Sequence, residues 1–321
     1  MVDIKVHNAI MFEPEKVSAN VVRDYIYTGS VIITLNYFEG ACCRTLGLYD
    51  LLDYVSDVFH FDKSKITIIT NNVEERHDKY NIQIQNDLKW LKINCTSTLT
   101  DGYTKDSFRS KDVTKNLFGC MYNNPLWPRL CLVNYIKRNT THSSLIACNP
   151  TFQEGLYNTV ELDRLMKEAP GEFESVFETI KQLRPLPGHP GPKPEAEENH
   201  EIIKFYNDFF IDLVAETFTS GIVFSMTEKT VRPMLAMTPF ITYGPTAYLS
   251  NLKHRYGFKT FSDYWDESYD QLNEYERVKK IYQLIDYLNT LTDQQRIDMY
   301  RDMMPTLEHN YNRVLELHEQ R

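Results

Sequence analysis

Two short β-branched runs, Val31 to Leu35 (VIITL) and Ile66 to Thr70 (ITIIT), frame a segment, Gly47 to Val58, whose apolar residues recur at helical spacing. Strand, helix and strand in that order predict a βαβ unit. The stretch from Ile82 to Ile93 is mixed and follows neither period. A second alternating series begins near Lys115: a strand over Leu117 to Tyr122, a polar loop, a helix over Arg129 to Lys137, a strand over Ser144 to Cys148 and a helix over Glu161 to Leu183. The run from Arg184 to Pro194 (RPLPGHPGPKP) sustains neither helix nor sheet, because its prolines lack amide donors; it reads as a surface loop. No basic-flanked PxxP repeat supports a polyproline ligand there.

Beyond that loop the pattern predicts a helix over His200 to Phe218, a strand over Ile222 to Phe224 and a helix over Lys229 to Met237. A strand over Phe240 to Tyr243, a helix over Thr246 to Tyr256 closed by Gly257, and a strand over Phe258 to Phe261 follow. Two amphipathic helices finish the chain. The first carries Val278, Ile281, Leu284, Ile285 and Leu288 on one face, and the second runs from about Asp293. Alternation in both halves predicts an α/β protein of two Rossmann-like, doubly wound domains facing a cleft. Residues 1–112 make the first domain, residues 113–300 the second, and residues 301–321 a terminal helix returning to the first. In such sheets ligands sit beyond the carboxyl ends of the strands, so chemistry is sought in the loops that follow them.

The bulk numbers agree with a folded, two-domain chain: 321 residues, 42% hydrophobic, 25% charged and 13% aromatic. A formal net charge of −9 argues against a nonspecific grip on nucleic acid phosphates. Six cysteines without a CxxC or closely spaced histidines argue against a zinc site and fit buried thiols in a reducing compartment. No basic leader and no apolar run of about 20 residues is present, so a cytoplasmic protein of bacterial or phage origin is expected.

The segment Ser225 to Gly244 brings a polar cluster, Thr227, Glu228 and Lys229, directly to a helix amino end. Free amides and the positive end of the helix dipole make such a place an anion site. Lys229 adds a full charge for a diphosphate, and Glu228 can accept both hydroxyls of a ribose. The plainer reading is that Thr227 is an N-cap and Glu228 a first-turn acid that complements the dipole. Absent motifs narrow the field. There is no GxxxxGK[ST], no GxGxxG and no GxSxG, which removes the usual triphosphatase, dinucleotide oxidoreductase and serine hydrolase signatures.

The TEK sequence before an apolar helix, followed by Pro239, Phe240, Ile241 and a Gly244-Pro245 turn, resembles the donor motif of the α1,3-fucosyltransferase family and of related phage and bacterial glycosyltransferases of the GT-B fold. Three further elements stand in order downstream: Gly257 to Phe261 (GFKTF), Asp266 to Asp270 (DESYD) and Leu307 to Asn310 (LEHN). Upstream, Asn116 to Leu130 is similar to the strand, polar turn and arginine-led helix that open the donor domain of those enzymes. The resemblance implies that Arg129 reaches the donor pyrophosphate, with Asn123 and Asn124 in the turn and Glu216 near the nucleotide. It implies transfer from a GDP- or UDP-linked sugar to a glycan, protein or modified nucleobase, by inversion and without an essential metal; no Asp-x-Asp clasp is present.

Inverting transfer needs a group that takes the acceptor hydroxyl's proton. Glu39 follows the first convincing strand and is the first choice as catalytic base, ahead of Asp101 and His60. Glu39 could equally cap the helix that begins near Thr45, and His60 could be an ordinary histidine at a helix end. A noncatalytic nucleotide-sugar or glycan-binding protein of the same fold is the alternative.

Overall fold

The computed structural model describes residues 2–4, 13–35, 42–85, 102–109, 111–122, 125–148, 156–183, 202–217, 219, 223–224 and 226–319. Glu39, Asp101, Asn123, Asn124 and the proline-rich run lie outside the described residues. The chain forms two compact units. One comprises Met1–Leu88 with Phe218–Met226, the other Lys89–Thr217 with Thr227–Arg321. The sequence-based boundary near residue 112 therefore falls inside the second unit, because Lys111 and Phe108 are buried by partners of that unit: Lys111 Nζ donates to Thr238 Oγ1 at 2.5 Å, and Tyr300 donates its hydroxyl to the Phe108 carbonyl at 3.1 Å.

In the first unit β1 (Val2–Ile4), α1 (Pro14–Thr28), β2 (Val31–Leu35), α2 (Leu48–Phe59), β3 (Ile66–Thr70) and β4 (Asn81–Ile84) build a parallel sheet in the order β1-β2-β3-β4. The register sets Ile33 beside Ile68. Alternate residues of β2 and β3 are buried, and α2 adds Leu48, Leu52 and Val55, spaced to share one helical face, so the core lies between one sheet face and the helices. Among the described residues the strands run in chain order without reversal. This differs from the doubly wound expectation for this half: residues 71–80 carry no helix, and Tyr80 and Asn81 are fastened to Asp53 and to the Ser64 carbonyl, so β4 is laid down directly beside β3.

The second unit contains β5 (Phe118–Tyr122), α3 (Trp127–Asn139), β6 (Ser144–Cys148), α4 (Leu156–Glu168), α5 (Phe173–Ile180), β7 (Ile211–Ala215), α6 (Glu228–Leu235), β8 (Phe240–Tyr243), α7 (Tyr248–Tyr256), α8 (Glu274–Asn289) and α9 (Asp293–Glu319). Its sheet is parallel in the order β6-β5-β7-β8, which reverses direction between β5 and β7 and is doubly wound. Every residue of β5, β7 and β8 is buried, as expected of strands covered on both faces. Gly119 makes room for this: an added Cβ would lie 2.6 Å from the ring of Phe209.

Four sequence expectations change here. Of the helix expected over residues 200–218, Ile202 and Ile203 are helical, and a 3-10 turn (Lys204–Asp208) then leads into β7, the central strand. The helix over residues 161–183 is two helices, broken where Pro170 lacks the amide to continue. Val223 and Phe224 are not in a strand, and Phe224 donates its amide to Asn72 Oδ1 at 3.1 Å. Residues 258–261 are not a strand either. The Lys259 amide and carbonyl both bond the Asn310 side chain, at 2.8 and 2.9 Å, which satisfies them as a neighbouring strand would. That clamp also places the terminal helix. Of the two units, α9 belongs to the second, where Tyr300 donates to the carbonyls of Met237 and of Phe108, a residue of the span 1–112 to which the helix was expected to return.

Candidate functional site

The reversal between β5 and β7 makes a topological switch point, where the loops after adjacent strands part. Two residues singled out from the sequence meet there. Arg129, on the first turn of α3, points its guanidinium at the end of β7, with Nε and Nη2 donating to the Ala215 carbonyl at 3.2 and 2.6 Å. Its guanidinium carbon lies 5.5 Å from the Tyr122 ring centroid, and the residue is 1% exposed. Arg129 is thus not a solvated helix-end arginine; it clamps the strand end.

Glu216 is the next residue after β7, and its carboxylate collects hydroxyls from two helices. Thr230 donates to Oε1 at 2.6 Å, Tyr248 to the same oxygen at 2.9 Å, and Thr227 to Oε2 at 2.6 Å. The Glu216 amide continues the ladder to the Tyr243 carbonyl at 2.9 Å. Burial raises its pKa; the nearby Lys229 charge and the threonine hydroxyls work against that rise without cancelling it. One residue therefore ties the ends of β7 and β8, through its amide, to the starts of α6 and α7, through its carboxylate.

Three helices follow the carboxyl ends of β5, β7 and β8, and their amino ends differ. On α3 the Trp127 amide donates to the buried carboxylate of Glu161 at 2.9 Å. On α7 the amides of Leu249 and Ser250 donate to the carboxylate of Asp270 at 2.8 and 3.2 Å. Those two ends already hold an anion. The cap of α6 is the neutral hydroxyl of Thr227, which accepts from the Lys229 amide at 3.2 Å. The carboxylate on its first turn, Glu228, is paired to Lys229 at 2.5 Å, with the two side chains 18% and 17% exposed. Burial alone would raise the Glu228 pKa, but Lys229 and Arg232 outweigh it and hold the group well below the usual carboxylate range.

Beneath α6 lies a buried polar chain that the sequence did not announce. Asp212, on the same face of β7 as Glu216, accepts from the Tyr206 hydroxyl at 2.7 Å. Burial pushes its pKa up to about 6, opposed by the Tyr206 hydrogen bond and by Arg232 and Lys111. Burial pushes Lys111 down to about 7, with Asp212 pulling it upward. Arg277 was also missed. It donates to the carbonyls of Gly244, Leu272 and Tyr269 and to Thr246 Oγ1, and so fixes the loop after β8. Asp270 did carry a signal, as the last residue of the DESYD run; Glu161 carried none.

In the first unit His60 caps the carboxyl end of α2 in the left-handed conformation (φ 59°) and is exposed, at the helix end that leads into β3. Lying at the sheet's amino edge, it is an ordinary helix-end residue and not a base beyond the strand ends. The described cysteines Cys42, Cys43, Cys120, Cys131 and Cys148 are buried and free. Among the described residues no helix is long and apolar enough to cross a membrane.

No family model matches the chain, and no curated protein matches it. A solved structure, "Crystal Structure of alpha1,3-Fucosyltransferase", is similar at 10% sequence identity with a TM-score of 0.39, over 90% of this chain and 77% of that one. That is a distant likeness only.

Proposed function

We propose that the second unit binds the diphosphate of a GDP- or UDP-linked sugar at the amino end of α6, and that the chain is a glycosyltransferase. The observation that carries this is the contrast among the three helix ends. Those of α3 and α7 are filled by Glu161 and Asp270, whereas α6 has a neutral cap and a carboxylate already neutralised by Lys229. A diphosphate arriving there meets the helix dipole and the Lys229 ammonium. As Lys229 turns to the phosphate, Glu228 is released to accept ribose hydroxyls. Thr227 and Glu216 hold the turn in place, and Arg129 holds the strand end. The ordered motifs that resemble those of the fucosyltransferase-like enzymes support the same reading.

In the transfer step the bond from the sugar carbon to the diphosphate oxygen breaks as the acceptor hydroxyl attacks. The charge gathering on the departing diphosphate is stabilised by Lys229 and the α6 amides, at about 3 kcal/mol per well-placed donor. The proton of the acceptor hydroxyl goes to a base, for which Glu39 is the candidate.

Melting the full chain with GDP, UDP, ADP and CMP tests the donor half. A ligand at 100 times its Kd stabilises by about 2.7 kcal/mol, and the nucleotide that raises Tm names the donor class. Lys229→Ala should abolish that rise and lower donor hydrolysis or transfer by about two orders of magnitude while leaving Tm of the free protein within a degree or two. A flat response to all four nucleotides, or an unchanged response in Lys229→Ala, would sink the proposal.

A further inference from the structure

The first unit carries a groove that the donor chemistry does not use. Its volume is about 520 Å³, and it is lined by Arg44, Arg76, His77, Asp78 and Ile82. That volume falls in the range of small-molecule sites, roughly 300–1,000 Å³. The lining comes from three places: the turn before α2, the crossover loop 71–80, and β4, which supplies Ile82.

Two of these side chains are fixed in advance. Arg76 Nη1 donates to the carbonyls of Val73 and Glu75, at 3.0 and 2.6 Å, which anchors the guanidinium while its other N–H groups make no bond to another described residue. His77 packs against Tyr49 and Tyr80, with ring centroids 4.2 and 4.8 Å away. Its Nδ1 accepts the Lys79 amide at 3.0 Å, so the neutral ring carries its proton on Nε2 as a donor. The nearest buried carboxylate, Glu75, does not cancel these donors. It is consumed by the Cys43 amide, the Tyr49 hydroxyl and the Asn72 side-chain amide, at 2.9, 2.7 and 3.0 Å. The lining carboxylate, Asp78, has Oδ1 3.4 Å from His77 Nδ1, so it faces the imidazole, but its side chain is 90% exposed, where water and salt screen it.

With Asp78 turned to the imidazole, the guanidinium groups of the exposed Arg44 and Arg76 are the donors left to a ligand, and they call for a group that accepts. Guanidinium forks match carboxylate and phosphate oxygens in pairs, and Ile82 adds an apolar side against which the C–H face of a sugar ring can lie. We infer that this groove binds the acceptor, and that the acceptor is an acidic sugar bearing a carboxylate or phosphate group. The acceptor role rests on the glycosyltransferase reading; the anion site itself rests on the groove.

The test is an NMR titration of the full isotope-labelled chain with methyl β-glucuronide, glucose 6-phosphate and methyl β-glucoside. The expected result is that an acidic probe moves the resonances of residues 71–80 and binds at least tenfold more tightly than the neutral glucoside. Whichever acidic probe is tighter identifies carboxylate or phosphate as the recognised group. Arg76→Ala and Arg44→Gln should each weaken the acidic probe about tenfold or more and leave the glucoside unchanged. Arg44 is exposed and makes no side-chain hydrogen bond to another described residue, so its variant keeps the test open if Arg76→Ala disturbs the loop. Equal affinity for acidic and neutral probes, or an acidic-probe Kd unmoved in both variants, overturns the proposal. A nucleotide response that persists while the acidic probes fail sinks this inference alone. Acidic-probe binding without any nucleotide response keeps the anion site and removes its acceptor role.

Discussion

Replacing Glu216 by alanine takes away the acceptor of three buried hydroxyls at once. Hydrogen bonds to a charged group contribute about 1.5–3 kcal/mol each, so the gross loss is roughly 5–9 kcal/mol. Two effects reduce it. Thr230 Oγ1 and the Tyr248 hydroxyl lie 2.9 Å apart and can bond one another when the carboxylate is gone, leaving the Thr227 hydroxyl as the main orphan. The wild type also carries the cost of holding a buried charge, which the raised Glu216 pKa records and the variant escapes. The net expectation is about 3 kcal/mol, and about 1–2 kcal/mol for Glu216→Gln, which keeps one acceptor oxygen. In a unit of this size that corresponds to a fall in Tm of about 6–12 °C for alanine.

Urea unfolding at several pH values checks both size and sign. A carboxyl whose folded pKa is raised adds stability below its unfolded pKa and loses it as pH rises through the folded value. Glutamine does not titrate. The gap between wild type and Glu216→Gln should therefore be widest at acid pH and narrow as pH rises above the usual glutamate range. A loss below about 1 kcal/mol in Glu216→Ala, or a gap that widens with pH, would refute the view that this carboxylate fastens the strand ends to α6 and α7.

Asp212→Asn should flatten a pH dependence of the same sign. With a folded pKa of about 6 against an ordinary value of 3.8, the wild type loses about 2.4 kcal/mol through this group between pH 4 and pH 7, so the asparagine variant gains relative stability over that interval, read by urea unfolding at its two ends. Gly119→Ala should cost about 1–3 kcal/mol because its Cβ meets the buried ring of Phe209, and pairing it with Phe209→Leu should cost less than the two single changes added together, measured by thermal unfolding of the double-mutant cycle.

How much was legible in advance depended on how each element is buried. The strands β2, β3 and β6 have the expected bounds because they are β-branched or apolar runs with clear edges. β7 was read as part of a helix. Its five residues are buried on both faces and show no alternation, and a short apolar run of that kind cannot be told from a helix turn by period. The start of α6 was legible because capping is local: Thr227, Glu228 and Lys229 are adjacent. What surrounds it was not. Glu216 finds Thr230 and Tyr248 at separations of 14 and 32 residues, and Asp270 reaches back 21 residues to cap α7. Such pairings follow from the order of the strands, which composition and period do not encode.

The ions along the carboxyl edge of the second sheet divide by what they hold. Arg129 is committed to the Ala215 carbonyl, Glu216 to three hydroxyls, Asp270 to the amides of α7 and Arg277 to the loop after β8. Each is buried and each is answered by groups of its own unit, so removing any of them leaves an uncompensated partner and should appear first as lost stability. The pair Glu228 and Lys229 is different in kind. Its two members are adjacent in sequence, partly exposed, and answer one another, so an anion can draw Lys229 away without leaving either group in an apolar interior. A rigid edge with one exchangeable ion pair needs no large rearrangement to admit a diphosphate, because the orienting groups are already fixed and the one charge that must turn is on a flexible side chain.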